Sequence, residues 1–259
     1  MGKTMMEAEH KSTVEIFSYM ADLVPKPCHQ GKFQQASPET YFFLMEFVDL
    51  DSEVVEAHDF CRRVAQLHNL SISPTGKFGF DQVTFQGPNP QITTWESNWS
   101  KYFRRLLLDW FDREISINGT QEEYEAFFEE FCGNTIPRIL EPLQAKRRQL
   151  KPFLIHGDLW EGNTGLNLET GNSVIFDACA MYAHNEMELG MWRSGHNRFG
   201  KAYLEHYLSI IPPSEPVEQF DDRNRLYAMK YTLSNMQGWT DTSQAGRQEY
   251  VSYLEPAWF

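Results

Sequence analysis

The chain has 259 residues, of which 41% are hydrophobic and 14% aromatic, enough to bury the core of one large domain or two lobes. Its formal net charge of -13 disfavours nucleic acid and anionic membrane as partners. We expect a cytoplasmic protein, because neither a membrane-length apolar run nor a signal-peptide core is present and the four scattered cysteines form no C-x-x-C pair.

The first part of the chain is predicted to hold two helices around one strand. Apolar residues at spacings of three predict a helix over 7–22, which the prolines that follow end. The short apolar run Tyr41–Val48 predicts a buried strand. Ser52 is the candidate cap of a helix over 53–69. A strand and a short linker thus precede a helical region.

The middle of the chain is predicted to be a loop followed by two helices. Residues 71–90 read as a loop that contains a short hairpin. One helix spans 94–113, and a second begins in a capping box at Thr120 and forms again after Pro137 up to about 149. The aromatic residues of these helices stand at helical spacing, which favours a packed core over a ligand cage.

Two short strands frame the segment 156–163. Phe153–Ile155 is predicted to enter it, and Val174–Phe176 is predicted to be the hairpin partner of that strand across a turn at 169–172. The remaining helical patterns lie at 185–208 and 217–237.

The segment 156–163 reads His-Gly-Asp-Leu-Trp-Glu-Gly-Asn, and Asp177 follows it at the end of an apolar run. Phosphoryl transfer from ATP needs a carboxylate that orients the attacking hydroxyl and accepts its proton, and an amide oxygen and a second carboxylate that hold Mg²⁺. The kinase loop H-x-D-L-x-x-x-N and a later strand-end Asp supply these groups. Asp158, Asn163 and Asp177 match that order, whereas a chance turn would explain His-Gly-Asp alone. The pattern favours a kinase-like site that uses ATP and Mg²⁺.

A mostly helical body around a small catalytic hairpin, reached from a strand and a linker, is the layout of a protein-kinase-like fold. We therefore expect an α+β chain with a residual N-terminal lobe and hinge over 1–50 and a helical C-terminal catalytic lobe over 51–259. The backbone of Glu46, Phe47 and Val48 would then face the adenine of ATP, because a strand edge offers N–H and C=O groups.

These residues, with Gly-Lys-Phe-Gly-Phe at 76–80 and the helix of Trp95 and Trp99, resemble the fructosamine kinase (ketosamine 3-kinase) family, a branch of the aminoglycoside-phosphotransferase-like kinases. The similarity covers nearly the whole chain, and the Trp of His-Gly-Asp-Leu-Trp-x-Gly-Asn makes it specific. It implies ATP-dependent phosphorylation of a sugar hydroxyl on glycated amines, including glycated lysines of proteins. It also implies that Asp158 is the base and that Asn163 and Asp177 hold Mg²⁺.

The resemblance implies further roles for four residues. Trp160 would stack on the sugar, and His156 and Lys77 would serve the substrate side. Glu9 resembles the helix glutamate that pairs with a phosphate-binding lysine. Simple alternatives are packing for Trp160, a solvated helix charge for Glu9 and a surface loop position for Lys77.

The chain departs from the family pattern at two places. Ala178 follows Asp177 where the family usually has Pro. In the family a glycine-bearing hairpin and a strand lysine precede the helix of Glu9, whereas this chain begins eight residues before Glu9. We therefore expect an incomplete N-terminal lobe without the phosphate lid, and weak or absent ATP turnover. A truncated gene model is the alternative explanation.

Two other functions stay open. The same scaffold could phosphorylate an aminoglycoside-like or choline-like alcohol, or the chain could be an inactive pseudokinase that serves as a binding module. Retention of Asp158, Asn163 and Asp177 favours the kinase, because a scaffold would not need these three groups.

Overall fold

The computed structural model describes residues 1–51, 53–120, 125, 128–193 and 197–238. The helices in this part of the chain are α1 (Gly2–Tyr19), α2 (Ala57–Leu70), α3 (Trp99–Asn118), α4 (Ile136–Leu140), α5 (Glu186–Gly190), α6 (Lys201–Ile210) and α7 (Phe220–Gly238). The strands are short: β1 (Pro27–Lys32), β2 (Tyr41–Met45), β3 (Leu50–Asp51), β4 (Phe85–Gln86), β5 (Asn89–Pro90), β6 (Phe153–Ile155), β7 (Thr164–Asn167), β8 (Ser173–Ile175) and β9 (Met181–Ala183).

Helix α1 lies against the antiparallel pair β1–β2 near the start of the chain. The His10 ring on α1 meets Phe43 on β2 edge to face, with ring centroids 5.3 Å apart. Leu44 points the other way and is exposed. The strand predicted over Tyr41–Val48 is therefore present, but it ends at Met45 and is half-buried, because α1 covers only one face.

The strand pairing around residues 156–163 differs from the prediction. Phe153–Ile155 (β6) pairs with β9, and Ile155 lies opposite Met181. Strand β8 pairs instead with β7, which also pairs with β3. The predicted hairpin between Phe153–Ile155 and Val174–Phe176 is therefore wrong. The turn between β7 and β8 closes a much shorter loop, so pairing these two strands costs less chain entropy.

Helices α2 and α3 begin at side-chain caps that differ from those predicted. The Glu56 carboxylate accepts bonds from the backbone N–H groups of His58 and Asp59 at 2.8 and 2.7 Å, so α2 begins at Ala57. The predicted cap Ser52 lies outside the described residues. Asn98 caps α3 through Lys101 N–H at 2.9 Å. The apolar residues predicted to face inward are buried, among them Phe60, Val64, Leu67, Trp99, Phe103, Leu106 and Trp110.

The later helices are more broken than the sequence pattern predicts. Most of the capping box at Thr120 lies outside the described residues, and the described backbone continues as a π turn over Phe131–Thr135 and then α4. The helix predicted over 185–208 ends at Gly190 and begins again at Lys201, since three glycines in this stretch weaken helix formation. The helix predicted over 217–237 is confirmed as α7, preceded by a 3-10 turn.

Two general properties of the described residues bear on function. None of the described helices is both long and apolar enough to cross a membrane. All four cysteines are unpaired thiols, of which Cys28 is exposed and the other three are buried. The division of the chain near residue 50 stays a prediction.

Candidate active site

The segment 156–163, called the catalytic loop below, is fastened to the end of β8 by three hydrogen bonds. The His156 ring Nε2 lies 2.8 Å from the Phe176 carbonyl oxygen. Phe176 N–H donates to the Asn163 carbonyl at 3.1 Å, and Cys179 N–H donates to the His156 carbonyl at 3.0 Å. Both ends of the loop are thus tied to the residues that flank Asp177.

Gly157 occupies the tightest point of the catalytic loop. Its φ is +86°, in the left-handed region that favours glycine. A Cβ at this position would stand 2.6 Å from the Cys179 carbonyl oxygen. Conformation and space both require glycine here, which explains the Gly in His-Gly-Asp.

A buried carboxylate on α5 holds the other side of the catalytic loop. Glu188 accepts the backbone N–H of His156 at 2.5 Å and that of Gly157 at 3.0 Å. The side chain is fully buried. Burial alone would raise the pKa of Glu188, but the neighbouring imidazoles of His68 and His156 and the backbone bond from His156 outweigh burial and lower it. Glu188 is therefore a charged clamp on the loop backbone.

Asp158 and Asn163 meet within the catalytic loop. Asn163 Nδ2 donates to the Asp158 carbonyl oxygen at 2.8 Å and lies 3.4 Å from Asp158 Oδ2. The other carboxylate oxygen, Oδ1, accepts a bond from Gln86 Nε2 at 2.8 Å. Burial raises the pKa of Asp158, although the charge of Lys230 and other contacts oppose the rise. The carboxylate is thus half-buried and held on both oxygens.

Asp177 stands just beyond β8 and is exposed, with a left-handed φ of +59°. The half-buried Glu9 of α1 lies within electrostatic range of it. Burial raises the pKa of Glu9 to about 7, and the negative charge of Asp177 adds to the rise. The structure therefore brings Glu9, Asp177 and the catalytic loop to one place.

The oxygen atoms of this site suit a magnesium ion. The hydrogen bonds of the Asn163 side chain use its nitrogen, which leaves the amide oxygen as a possible ligand. Asp177 offers an exposed carboxylate one residue beyond Phe176, whose N–H bonds to Asn163. Mg²⁺ prefers hard oxygen ligands and takes only one or two from protein when phosphates supply others. The residues present fit that requirement.

The three residues assigned to the substrate side are placed differently from one another. Trp160 is 41% exposed, and its indole ring covers Gly162, where a Cβ would come within 2.3 Å of it. His156 is fully buried and its ring bonds to the Phe176 carbonyl, so it supports the loop. Lys77 is exposed on a turn whose bonds run to Ser73 and Thr75. Of the three, Trp160 alone combines exposure with a position in the catalytic loop.

The predicted adenine-facing segment lies between β2 and β3 and belongs to neither strand. Glu46 N–H already donates to the Lys26 carbonyl at 2.9 Å. Phe47 is 89% exposed and Val48 is half-buried.

Among the residues around the catalytic loop that were not predicted are Gln86 and Glu188, which bond to it directly, and Lys230, which reaches it through Gln86. Gln86 sits in the β4–β5 hairpin, and nothing in its local sequence marks it. Glu188 lies in a stretch of mixed charge and apolar residues. Lys230 is a lone cation within the apolar run of α7, and such a position indicates a buried interaction. The sequence does not indicate which residue the lysine contacts.

The model of the fructosamine kinase family matches residues 2–254. The chloroplastic protein-ribulosamine 3-kinase of Arabidopsis thaliana is 27% identical over 228 residues, which are 88% of this chain and 66% of that protein. The chain thus spans about two thirds of the length of that relative.

Two solved structures share the fold. A crystal structure assigned as a fructosamine-3-kinase of Haemophilus somnus aligns with a TM-score of 0.73 and 18% identity, covering 98% of this chain and 80% of that one. An ADP-bound aminoglycoside phosphotransferase aligns with a TM-score of 0.54 and 12% identity, covering 95% and 81%. The α+β, protein-kinase-like fold expected from the sequence is confirmed.

Proposed function

This chain belongs to the fructosamine kinase family, and from that premise we propose that it is a kinase that transfers the γ-phosphoryl group of ATP to a sugar hydroxyl of a ketosamine, that is, of a glycated amine. One observation carries the proposal: the bond from Phe176 N–H to the Asn163 carbonyl joins the loop of Asp158 and Asn163 to the strand end that bears Asp177. The three groups that phosphoryl transfer requires thus come from one hydrogen-bonded unit.

In the proposed reaction Asp158 orients the acceptor hydroxyl and accepts its proton. The hydroxyl oxygen forms a bond to the γ-phosphorus, and the bond from that phosphorus to the bridging oxygen of ADP breaks. The raised pKa of Asp158 makes it a stronger base than a solvated aspartate. The bonds from Gln86 and Asn163 hold the carboxylate in one orientation, which reduces the entropy lost on reaching the transition state.

Asn163 and Asp177 would hold Mg²⁺ through their side-chain oxygens. Magnesium, when bound, neutralises charge on the phosphates of ATP. Glu9 faces the same region and would help to order the phosphate side of the site. Since Glu46 N–H is already bonded, recognition of adenine would fall to the backbone of Phe47 and Val48.

Trp160 would stack on the sugar of the ketosamine, because its ring is partly exposed and lies two residues from Asp158. An exposed ring suits a sugar carried on a large molecule, so glycated lysines of proteins belong with free glycated amines among the proposed substrates. Lys77 would act at the rim of that side, while His156 is reassigned to support of the loop. Nucleic acid and membrane are not proposed as partners. The four unpaired thiols support a reducing compartment such as the cytoplasm.

The decisive experiment offers purified protein ATP, Mg²⁺ and either fructosyl-lysine, ribulosyl-lysine, an aminoglycoside or choline, and detects phosphorylated product by mass spectrometry. We expect product from the two ketosamines and none from Asp158→Asn. Asp112→Asn, which neutralises an exposed aspartate on α3, serves as the matched control and should react like the wild type.

Three outcomes would count against the proposal. Product from aminoglycoside or choline alone would favour the other acceptor class. Absence of product with every acceptor, with nucleotide binding that Asp177→Ala leaves unchanged, would favour the pseudokinase. Product that persists in Asp158→Asn would remove Asp158 as the base. The weak turnover expected from the sequence stays a prediction, and the same assay measures it.

A further inference from the structure

A fully buried lysine on α7 is linked to Asp158 through one glutamine. Lys230 Nζ donates to Gln86 Oε1 at 2.6 Å. The same amide donates through Nε2 to Asp158 Oδ1 at 2.8 Å. Three elements distant in sequence, namely α7, the β4–β5 hairpin and the catalytic loop, thus meet in a single chain of hydrogen bonds.

The lysine and the Asp158 carboxylate favour the same orientation of the Gln86 amide. An ammonium group has only donors, so it must meet the amide oxygen, and the NH₂ group is then turned to Asp158. Without the lysine the amide oxygen would lose this partner, and the Gln86 side chain would be free to turn away from the position in which it holds Asp158. On the other side of the carboxylate, Asn163 Nδ2 lies 3.4 Å from Oδ2.

Burial of Lys230 needs a compensating interaction. Its neighbours on α7, Leu226, Met229 and Leu233, are buried and apolar. Its ammonium lies over two aromatic rings, 4.4 Å from the centroid of Tyr231 and 5.5 Å from that of Trp110. Lysine is almost never fully buried unless it is paired, because losing hydration is costly. Burial lowers the pKa of Lys230, while the nearby carboxylates of Asp158 and Glu188 oppose that change.

We propose that Lys230 and Gln86 are positioning residues for phosphoryl transfer: Lys230 fixes the amide of Gln86, and Gln86 fixes the carboxylate of Asp158. Neither residue needs to touch a substrate, since both are buried. The proposal rests on the proposed function in so far as Asp158 is the base.

The test compares Lys230→Met, Gln86→Leu and the double variant, all of similar side-chain size to the wild type. We expect kcat to fall about tenfold in each, with KM within about twofold, because the group that is lost orients the base and binds no substrate. The double variant should be no slower than Gln86→Leu alone, because the lysine acts through the amide. Lys230→Arg keeps the donors and should recover most of the loss.

Thr232→Val is the matched control, since it changes a buried residue of α7 whose hydroxyl, within the part of the chain that the structure describes, donates to the Ala228 carbonyl of its own helix. It should leave kcat unchanged. Losses that multiply in the double variant, or a Lys230→Met protein that melts earlier but keeps its kcat, would overturn the proposal. If Lys230→Met does not fold, the kcat of Gln86→Leu is compared with that of Lys230→Arg: the first should be about tenfold below the wild type and the second close to it.

A second readout separates this proposal from the proposed function. The ¹⁵N resonance of the Gln86 side-chain amide is assigned by its absence from the spectrum of Gln86→Leu. In Lys230→Met this resonance should shift and the NH₂ protons should exchange faster with solvent, whereas in Thr232→Val the resonance should keep its wild-type position. An unchanged signal in Lys230→Met would overturn the positioning role. Absence of ketosamine turnover by the wild type would instead overturn the proposed function.

Discussion

Replacing Gly157 by alanine tests how closely the catalytic loop is fitted to the strand end beside it. A left-handed φ of +86° costs an L-residue roughly 1–2 kcal/mol. The new Cβ would also stand 2.6 Å from the carbonyl oxygen of Cys179, and that atom belongs to the backbone and cannot swing aside. Relieving such an overlap costs roughly 1–3 kcal/mol. The two effects together predict a loss of about 2–5 kcal/mol in the free energy of unfolding.

Gly171→Ala provides the matched control, because Gly171 has a φ of +70° and no described atom within 4 Å of its Cβ position. The control should lose about 1–2 kcal/mol from the strained backbone alone. The difference between the two variants in urea denaturation therefore measures the overlap with Cys179.

The activity of Gly157→Ala should fall with its stability, whereas that of Gly171→Ala should not. Asp158 is the next residue, and a shift of the catalytic loop by about 1 Å is expected to lower kcat by about a hundredfold. Equal losses of stability in the two variants would refute the overlap. A kcat for Gly157→Ala within about threefold of the wild type would refute the close fit of the loop.

Three further predictions concern the surroundings of the site. Glu188→Gln should lower the free energy of unfolding by about 2–3 kcal/mol and reduce kcat, because one buried N–H of the catalytic loop would face an amide NH₂ group. Thermal melting and steady-state kinetics measure the two effects, and an unchanged kcat would contradict the prediction. Gly162→Ala should displace the Trp160 ring, because the new Cβ would overlap it, and should thereby change the tryptophan emission. KM for the ketosamine should rise severalfold with little loss of stability, and an unchanged KM would leave Trp160 with a packing role. Burial lowers the pKa of His184 to about 4, so the unfolded chain takes up this proton first and the contribution of His184 to the free energy of unfolding should fall by ~3 kcal/mol from pH 6.5 to 4. Burial of Glu9, which raises its pKa to about 7, acts in the opposite direction over this range, so the test is the difference in pH slope between the wild type and His184→Gln, and equal slopes would refute the shift.

The candidate site could be located from sequence because its groups are close together in the chain. Asp158 and Asn163 are five residues apart in one loop, and Asp177 follows one short hairpin later. Their chemistry needs fixed residue types at fixed spacing, so the pattern can be recognised in one sequence. The apolar periodicity of α2, α3 and α7 was readable for the same local reason.

The parts that sequence reasoning missed depend on contacts between distant segments. Lys230 reaches Asp158 through Gln86, 144 positions away in the chain, and neither residue has a local pattern that names the other. Glu188 clamps two backbone N–H groups, which have no residue identity to recognise. The pairing of β6 with β9 was not predicted for a similar reason, because strands of three residues carry too few side chains to specify a partner.

The attachment of α1 has a consequence for motion. Ser12 accepts the backbone N–H of Ala180 at 3.2 Å, and Tyr182 donates to Glu15 at 2.7 Å, so the helix that bears Glu9 is tied to the segment just beyond Asp177. Helix and segment should therefore move as one rigid body. Their amide protons are expected to exchange with solvent at a common rate, and under the proposed function ATP would meet this side of the site already assembled, without a swing of α1.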